Sequence, residues 1–430
     1  MNILILHRVP YQRIDYAKGI DHHLHHVTYF GVQSILDSLP DALPCRRVAR
    51  PGDATAYEEA RDWIEKNPQS FDRIISLSEY ELLDAAKLRA WLGVPGASVA
   101  DVTLVRDKVL MKHNVSEAGL RVPQFLPLPS LLDGAGRAPW TGTTVLKPHN
   151  GASSEDVRVF SSPNQARAAV KFRTSGIARL DNAPSAISDY EVEEFVTGDI
   201  LHFDGLVANG QPLTITASRY VGTCLDFAQG EPLGSYHFPI MPFQREWAAR
   251  VLAAVGIRQG SFHLEAIEQE GLVFLEVGNR VGGADVVETF ERATGVHMPS
   301  QELAILLDGR PLRPLPLTQT SPIWHGWFVF PGHVHAGEPY HGIAGIDQFR
   351  DDPSVIRWAE LPPGTPQSDK TTYSAYEAPL AGIIGHADWR STRDWIKQVF
   401  EQASAAADQE RARTAQDAPQ PDFRFSRVSS

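Results

Sequence analysis

Apolar positions open the chain in one short run, Ile3 to Leu6 within NILILH, which predicts a buried strand over 2–7. A helix is expected over 32–39, a weak strand ending at Val48, and a helix over 57–66. RIISL at 73–77 is a further apolar run before a helical stretch over 79–92. Strands alternating with helices predict a small parallel α/β unit, closed by Gly-Val-Pro-Gly at 93–96. One helix is expected over 102–118, ended by Gly119. Proline and glycine crowd 123–139, which reads as a linker.

After 143 the pattern turns strand-rich: TTVLKP, DVRVF, YEVEEFV, ILHFDGLVA and LTITASRY, with one helix over 164–172. This predicts an α+β unit on an antiparallel sheet. Residues 221–240 read as a loop, and loops of that size in compact domains are often functional. A helix over 243–255, a hairpin over 260–279 and a helical region over 286–307 complete this core. Beyond 320 a further piece carries VFPGHVHAG and Gly-Ile-Ala-Gly. From 404 onward Ala, Gln, Asp and Pro dominate, and a helix end followed by a mobile tail is expected.

At 430 residues the chain should divide into several domains. A net charge of −12 argues against a general nucleic-acid binder but leaves room for a local basic pocket. Two cysteines, Cys45 and Cys224, can build neither a disulfide framework nor a thiolate zinc site, so a cytoplasmic location is expected. The opening MNILILHRVP lacks the charged leader and longer apolar stretch of a signal peptide. No apolar run is long enough to span a membrane.

The most informative segment is GSFHLEAIEQEGLVFLEVGNR, 260–280. Both halves alternate around a Glu270-Gly271 turn signal. In that register Leu264 faces Val277 and Ala266 faces Leu275, while Glu265 lies opposite Glu276. Opposed like charges cost about 0.2–1 kcal/mol, so something should neutralise them. A hard divalent cation would do so, since Mg2+ typically takes one or two carboxylates plus substrate phosphates. The ordinary readings are a solvated pair on an open sheet face, or a register shifted by one.

Lys147 ends the strand TTVLKP before HNGASS, where a lysine and loop N–H groups can meet phosphate oxygens. The lysine precedes the glycine, so this is not a GxxxxGK[ST] loop. RDKVLMK places Lys108 and Lys112 at a helix start, where a charged helix face is the usual explanation. YEVEEFVTGD, 190–199, reads on its own as an edge strand and turn.

In series these segments resemble the ATP-grasp superfamily: RDKVLMKHNVSEAGLRVPQF, TTVLKPHNGASSEDV, VEEFVTGDILHFDGLV, GSFHLEAI and FLEVGNRVGG stand in the family's order. The resemblance covers about 100–310. The strand HFDGLV, the 221–240 segment and EVGNRVGG look closest to the branch of L-amino-acid ligases. It implies an ATP-grasp fold preceded by a Rossmann-like α/β domain over 1–100, with the core over 101–310 and a lid over about 121–195. Residues 311–403 would complete the core, with a tail over 404–430. The implied activity is ATP-dependent amide formation through an acyl phosphate, releasing ADP and phosphate. Two alternatives stand beside it: an ATP-grasp carboxylase using bicarbonate, and a non-catalytic ATP-binding module. The partners implied are a small-molecule carboxylate and an amine, with a homodimer as a candidate assembly and neither nucleic acid nor membrane.

By resemblance, Lys108 and Lys147 contact ATP, with Gly151, Ser153 and Ser154 in the loop that follows Lys147. Glu193, Glu194 and Val196 line the hinge that reads adenine, and Asp199 lies near the ribose. Glu265 and Glu276 hold one or two Mg2+ ions, with Mn2+ able to substitute. Arg280 stabilises the transferring phosphoryl group, work suited to a fixed guanidinium fork. In the family pattern an Asn stands two positions after the second metal glutamate. Here Gly278 takes that place and Asn279 comes one later, and Asn279 stands as a third candidate metal ligand one position out of the family pattern. Glu79 and Arg219 are candidate substrate contacts, with a helix cap and a surface arginine as their ordinary readings. The 148–154 and 221–240 segments are candidate lids. The histidines of DHHLHH, 21–26, are too adjacent to converge on one ion and read as a surface segment.

Overall fold

The computed structural model describes residues 1–133, 137–151 and 154–417. The N-terminal unit is a parallel sheet of β1 (Asn2–Leu6), β2 (His26–Gly31), β3 (Arg46–Ala49) and β4 (Arg73–Ser76), in the order β3-β2-β1-β4. Ile3, Leu4 and Ile5 are fully buried because both faces are covered, as parallel sheets require. Leu4 and Leu6 pack with Ala60 and Ile64 of the helix Ala56–Lys66, which starts on a Thr55/Glu58 capping box. Ile3 and Ile5 pack with Leu303 and Leu307 of the helix Met298–Asp308, which docks this unit on the core. Strand β2 did not stand out in the sequence, because it directly follows the polar DHHLHH. The helix expected over 32–39 covers only Gln33–Leu36, since Pro40 cannot continue it.

A second sheet is formed by β5 (Phe125–Pro127), β6 (Thr144–Pro148), β7 (Arg158–Phe160) and β8 (Tyr190–Glu194), in the order β5-β8-β6-β7. The expected linker over 123–139 therefore contains β5 and the helix Leu128–Leu132. Proline fits there because edge strands and first helical turns need no N–H. Leu128, Leu131, Leu146, Tyr190 and Val192 share this unit's core.

The largest sheet has eight antiparallel strands: β9 (Asp199–Ala208), β10 (Gln211–Val221), β11 (Leu233–Phe238), β12 (Gly260–Glu268), β13 (Leu272–Gly278), β14 (Trp324–Phe330), β15 (Val355–Glu360) and β16 (Leu380–His386). Their order is β13-β12-β9-β10-β11-β14-β16-β15, so the piece beyond 320 extends the core sheet. One face packs on the helices Lys108–Glu117 and Pro242–Ala254 through Phe203, Phe262 and Leu264 against Met111, Val115 and Val251. The opposite face meets the helices Val286–Thr294 and Met298–Asp308.

Two further expectations are corrected. The helix over 102–118 is two, Val99–Leu104 and Lys108–Glu117. Asp107 breaks the run by capping the second helix, accepting from the Val109 and Leu110 N–H groups at 2.9 and 3.0 Å. The 221–240 loop is largely ordered as the helix Cys224–Ala228 and β11. The last helix, Trp389–Asp417, is anchored on the sheet by Trp395, Ile396 and Val399. Among the described residues no helix is long and apolar enough to cross a membrane.

Candidate active site

A cleft of about 1060 Å3 lies where the three sheets meet. Its first wall is the carboxyl edge of the N-terminal sheet, where β1 and β4 diverge. Val9 follows one strand and Leu77, Ser78 and Glu79 the other. Open α/β sheets bind ligands at this switch point. Lys147 on β6, Glu193 on β8 and the connection 194–198 form the second wall, and His263, Glu265 and Glu276 on β12 and β13 the floor. Gly198 makes the close approach possible. At φ 154° it passes so near the Glu268 carbonyl that a Cβ would lie 2.3 Å from that oxygen.

The lysines are interlocked with carboxylates. Lys147 lies 2.5 Å from Glu193, and Lys112 bridges Glu191 and Glu193 at 2.7 and 2.5 Å. Lys112 is fully buried, so it is no part of a solvated helix face. Lys108 reaches Glu276 at 3.0 Å and donates to the Gly151 carbonyl at 2.9 Å. Burial alone would raise the Glu193 pKa, but Lys112 and Lys147 outweigh it and hold the carboxyl low. Burial would lower the Lys147 pKa, and Glu193 with Glu191 reverses that. Lys147 is thus held in its cationic form.

On the floor, Glu265 pairs with Glu276 across β12 and β13, and Leu264 with Val277, as the alternation predicts. One residue later the register slips: Ala266 meets Phe274, not Leu275. A β-bulge absorbs the extra residue, and Leu275 joins Glu276 on the cleft wall. The two carboxylates are not left to repel one another. Glu265 Oε1 accepts from the Tyr220 hydroxyl at 2.8 Å and lies 3.3 Å from His263 Nε2, while Glu276 Oε2 meets Lys108. Burial alone would lower the His263 pKa, but Asp204 at 2.8 Å prevails and lifts it to about 10. For Glu276, burial raises the pKa, and Lys108 with Lys147 more than offsets it, holding the carboxyl at about 2. Glu265 Oε2 and Glu276 Oε1 have no hydrogen bond among the described residues, and both side chains line the cleft. Two free oxygens on facing carboxylates are the hard donor set that a divalent cation such as Mg2+ takes.

Behind Glu265, Asp204 joins His263 to His202, 2.5 Å away, and His202 continues to Ser235 at 2.7 Å. The ligand-type atoms of His202, Asp204 and His263 lie within 4.8 Å of one another. Hydrogen bonds among them already engage these atoms, so the cluster backs Glu265 instead of caging an ion. Beside the carboxylates, Arg280 Nε and Arg106 both donate to Glu79. Burial would raise the Glu79 pKa, but the two guanidiniums keep it low.

The sequence matches no family model. It is similar to the L-arginine-specific L-amino acid ligase of Bacillus subtilis, 24% identical over 245 residues, 55% of this chain and 57% of that protein. The match thus spans little more than half the length of the curated relative. Among solved structures, L-amino acid ligase from Bacillus licheniformis superposes with a TM-score of 0.66 at 18% identity, over 93% of this chain and 97% of that one. Carboxyaminoimidazole ribonucleotide synthase from Aspergillus clavatus, solved with ATP, gives 0.66 at 11% identity over 94% and 98%. The chain has the ATP-grasp fold.

In this ATP-grasp cleft, Glu79, Lys108, Lys147, Gly151, Ser154, Glu193, Glu194, Val196, Glu265, Glu276 and Arg280 all stand on the walls. Ser153 lies outside the described residues. Asp199 and Arg219 do not line the cleft; they pair with each other, and Arg219 also with Glu268. Asn279 turns away too, donating to the Gln259 and Ser261 carbonyls at 3.1 and 2.7 Å. Its amide nitrogen thereby ties the end of β13 to the start of β12. In the 21–26 segment, His22 is buried, bonded to Tyr29 at 2.8 Å and the Ile20 carbonyl at 2.9 Å, while its histidine neighbours stay at the surface.

Tyr220, His263, Asp204, His202, Arg106, Arg13 and Arg357 were not singled out from sequence. The alternation of polar residues in HFDG and SFHLE, which pair as β9 and β12, is the one signal that could have found three of them.

Lys147→Ala is expected to weaken ATP and ADP binding by on the order of 1.5–3 kcal/mol, roughly ten- to a hundredfold in Kd. Calorimetric titration with each nucleotide checks it, and unchanged affinity for both would remove Lys147 from the phosphate site.

Proposed function

We propose that the protein is an ATP-dependent carboxylate–amine ligase that joins an amino acid or other carboxylate to an amine, releasing ADP and phosphate. The observation that carries this reading is the convergence of Lys108, Lys147, Arg280 and the facing Glu265 and Glu276 on one ATP-grasp cleft. The two similar proteins described as L-amino acid ligases favour amino acids as the substrate class.

The residues divide the work. Lys147 and Lys108 bind the phosphates, exchanging their present carboxylate partners for phosphate oxygens. Glu265 Oε2 and Glu276 Oε1 would hold Mg2+, which would supply positive charge to neutralise the phosphates. Arg280, oriented by Glu79, holds its fork toward the transferring phosphoryl group. The substrate carboxylate oxygen attacks the γ-phosphorus as the bond to ADP breaks. The amine nitrogen then attacks the acyl carbon, loses its proton, and phosphate departs with the carboxylate's oxygen. No protein nucleophile is required. Cys224 lines the cleft, but burial, and next the charge of Glu265, push its thiol pKa far up, which leaves it unreactive. The sheet of β5–β8 and the 371–376 segment line the cleft, the elements whose closure would protect an acyl phosphate from water.

The test uses 18O-labelled carboxylate substrate with ATP and amine, screened over amino-acid pairs. One label should move into the released phosphate, with ADP as the nucleotide product. Label in AMP would mean adenylation, and uptake of labelled bicarbonate would mean a carboxylase; either overturns the reading.

A further inference from the structure

Arg13 sits on the short helix Tyr11–Ile14 that follows β1, at the switch point of the N-terminal sheet, and lines the cleft. The other cations there are matched by carboxylates: Lys18 by Asp15, Lys108 by Glu276, Lys147 by Glu193, Arg280 by Glu79, and Arg357 by Asp285 and Glu288. Among the described residues Arg13 forms no ion pair, and its guanidinium donates only to the Ser374 hydroxyl. Asp285 is close enough for Arg13 to lower its pKa, but the Asp285 carboxylate is itself bonded to Arg357. Ser374 belongs to the 371–376 segment that walls the same cleft from the C-terminal side.

A guanidinium offers a planar fork of donors matched to a carboxylate. Only one arm of this fork is engaged, and by a neutral group. We propose that Arg13, with the Ser374 hydroxyl, binds a second, unreacting carboxylate carried by the amine substrate, which makes Arg13 the residue that selects an amino acid over a simple amine. This rests on the ligase reading above. A carboxylate held there touches both the N-terminal domain and the 371–376 segment, so it bridges two walls of the cleft. A site built around such a fork also rejects the analogue that lacks the anion, because the guanidinium is then left without its partner.

The experiment compares the twenty amino acids and their carboxamides as acceptors, using an acid substrate from the 18O screen, in the wild type, Arg13→Gln, Arg13→Lys and Ser374→Ala. The wild type should prefer the acid over its amide. Arg13→Gln should raise KM for the amino acid by roughly ten- to a hundredfold and collapse the acid-to-amide ratio of kcat/KM toward unity. Arg13→Lys should restore part of the ratio and Ser374→Ala lose less of it. A nucleotide-binding titration separates this from damage to the ATP site, since Kd for ATP should follow the wild type. Equal use of acid and amide by the wild type, or an unaltered ratio in Arg13→Gln, would overturn the assignment and leave the ligase reading intact. Absence of amide formation with every pair would instead overturn the ligase reading.

Discussion

Glu276→Gln should abolish turnover, lowering ADP release on the order of a thousandfold, the several kcal/mol a misplaced metal forfeits. The amide keeps the shape and one oxygen but loses the charge that Mg2+ requires, and its NH2 group points a donor where the ion would lie. Lys108 loses its ion-pair partner at 3.0 Å at the same time. The effect on stability has a definite sign. Two bare opposed glutamates would make the variant more stable, but Glu276 is held by Lys108 and Lys147 at a pKa of about 2, below its ordinary 4.5. A group whose pKa is lowered in the folded state contributes stability above its unfolded value and loses it as pH falls toward the folded one. The variant should therefore melt slightly lower at neutral pH, with the difference shrinking from pH 4.5 down to about 2. The difference stays small because the side chain is 31% exposed to the cleft, where water screens the pair. Phosphate release and thermal melts across pH read both effects. Near-wild-type ATP consumption would remove Glu276 from the metal site.

How far the sequence carries this picture depends on whether the signal is local. The hairpin over 260–279 was legible because its two strands are neighbours in the chain, and its alternation placed Glu265 against Glu276. The register failed after Ala266, since a bulge is invisible to a period of two. The ATP-grasp fold was legible only as an ordered series of motifs, none of them decisive alone. Lys112 was misjudged for a physical reason: a lysine in a helix is ordinarily solvated, and the two glutamates that permit its burial lie 79 and 81 residues away. Asp199 stands close to the 193–196 segment along the chain, yet cross-strand pairing at the outer end of β9 and β10 ties it to Arg219. The partners of Glu79 likewise come from other units, Arg106 between two helices and Arg280 beyond β13, so the residue read as either a cap or a cleft contact until the chain was folded.

Lys112→Met is expected to cost roughly 3–5 kcal/mol of folding stability, the penalty for removing one partner of a buried ion pair. Two lysines and two glutamates form the cluster behind the cleft, and their charges cancel. Lys112 is its hub: it is fully buried, touches both carboxylates and lies 4.6 Å from the Phe125 ring centre. Methionine nearly fills the volume, so the loss reports charge and not a cavity. Glu191 would then lack its ion-pair partner while fully buried, with its Oε1 already unmatched, and Lys147 would remain to serve Glu193 alone. The pH dependence follows from Glu193, whose pKa the two lysines hold below its ordinary 4.5. Its contribution is present above pH 4.5 and is lost as pH falls through the lowered folded value, so the variant's deficit should be largest at neutral pH and narrow on acidification. The double variant Lys112→Met/Glu191→Gln should recover part of the loss, because an amide is far cheaper to bury than an unpaired carboxylate. Urea titrations at neutral and acidic pH measure these differences. A single variant as stable as the wild type at neutral pH would show that the cluster does not hold strand β8 against the helix Lys108–Glu117.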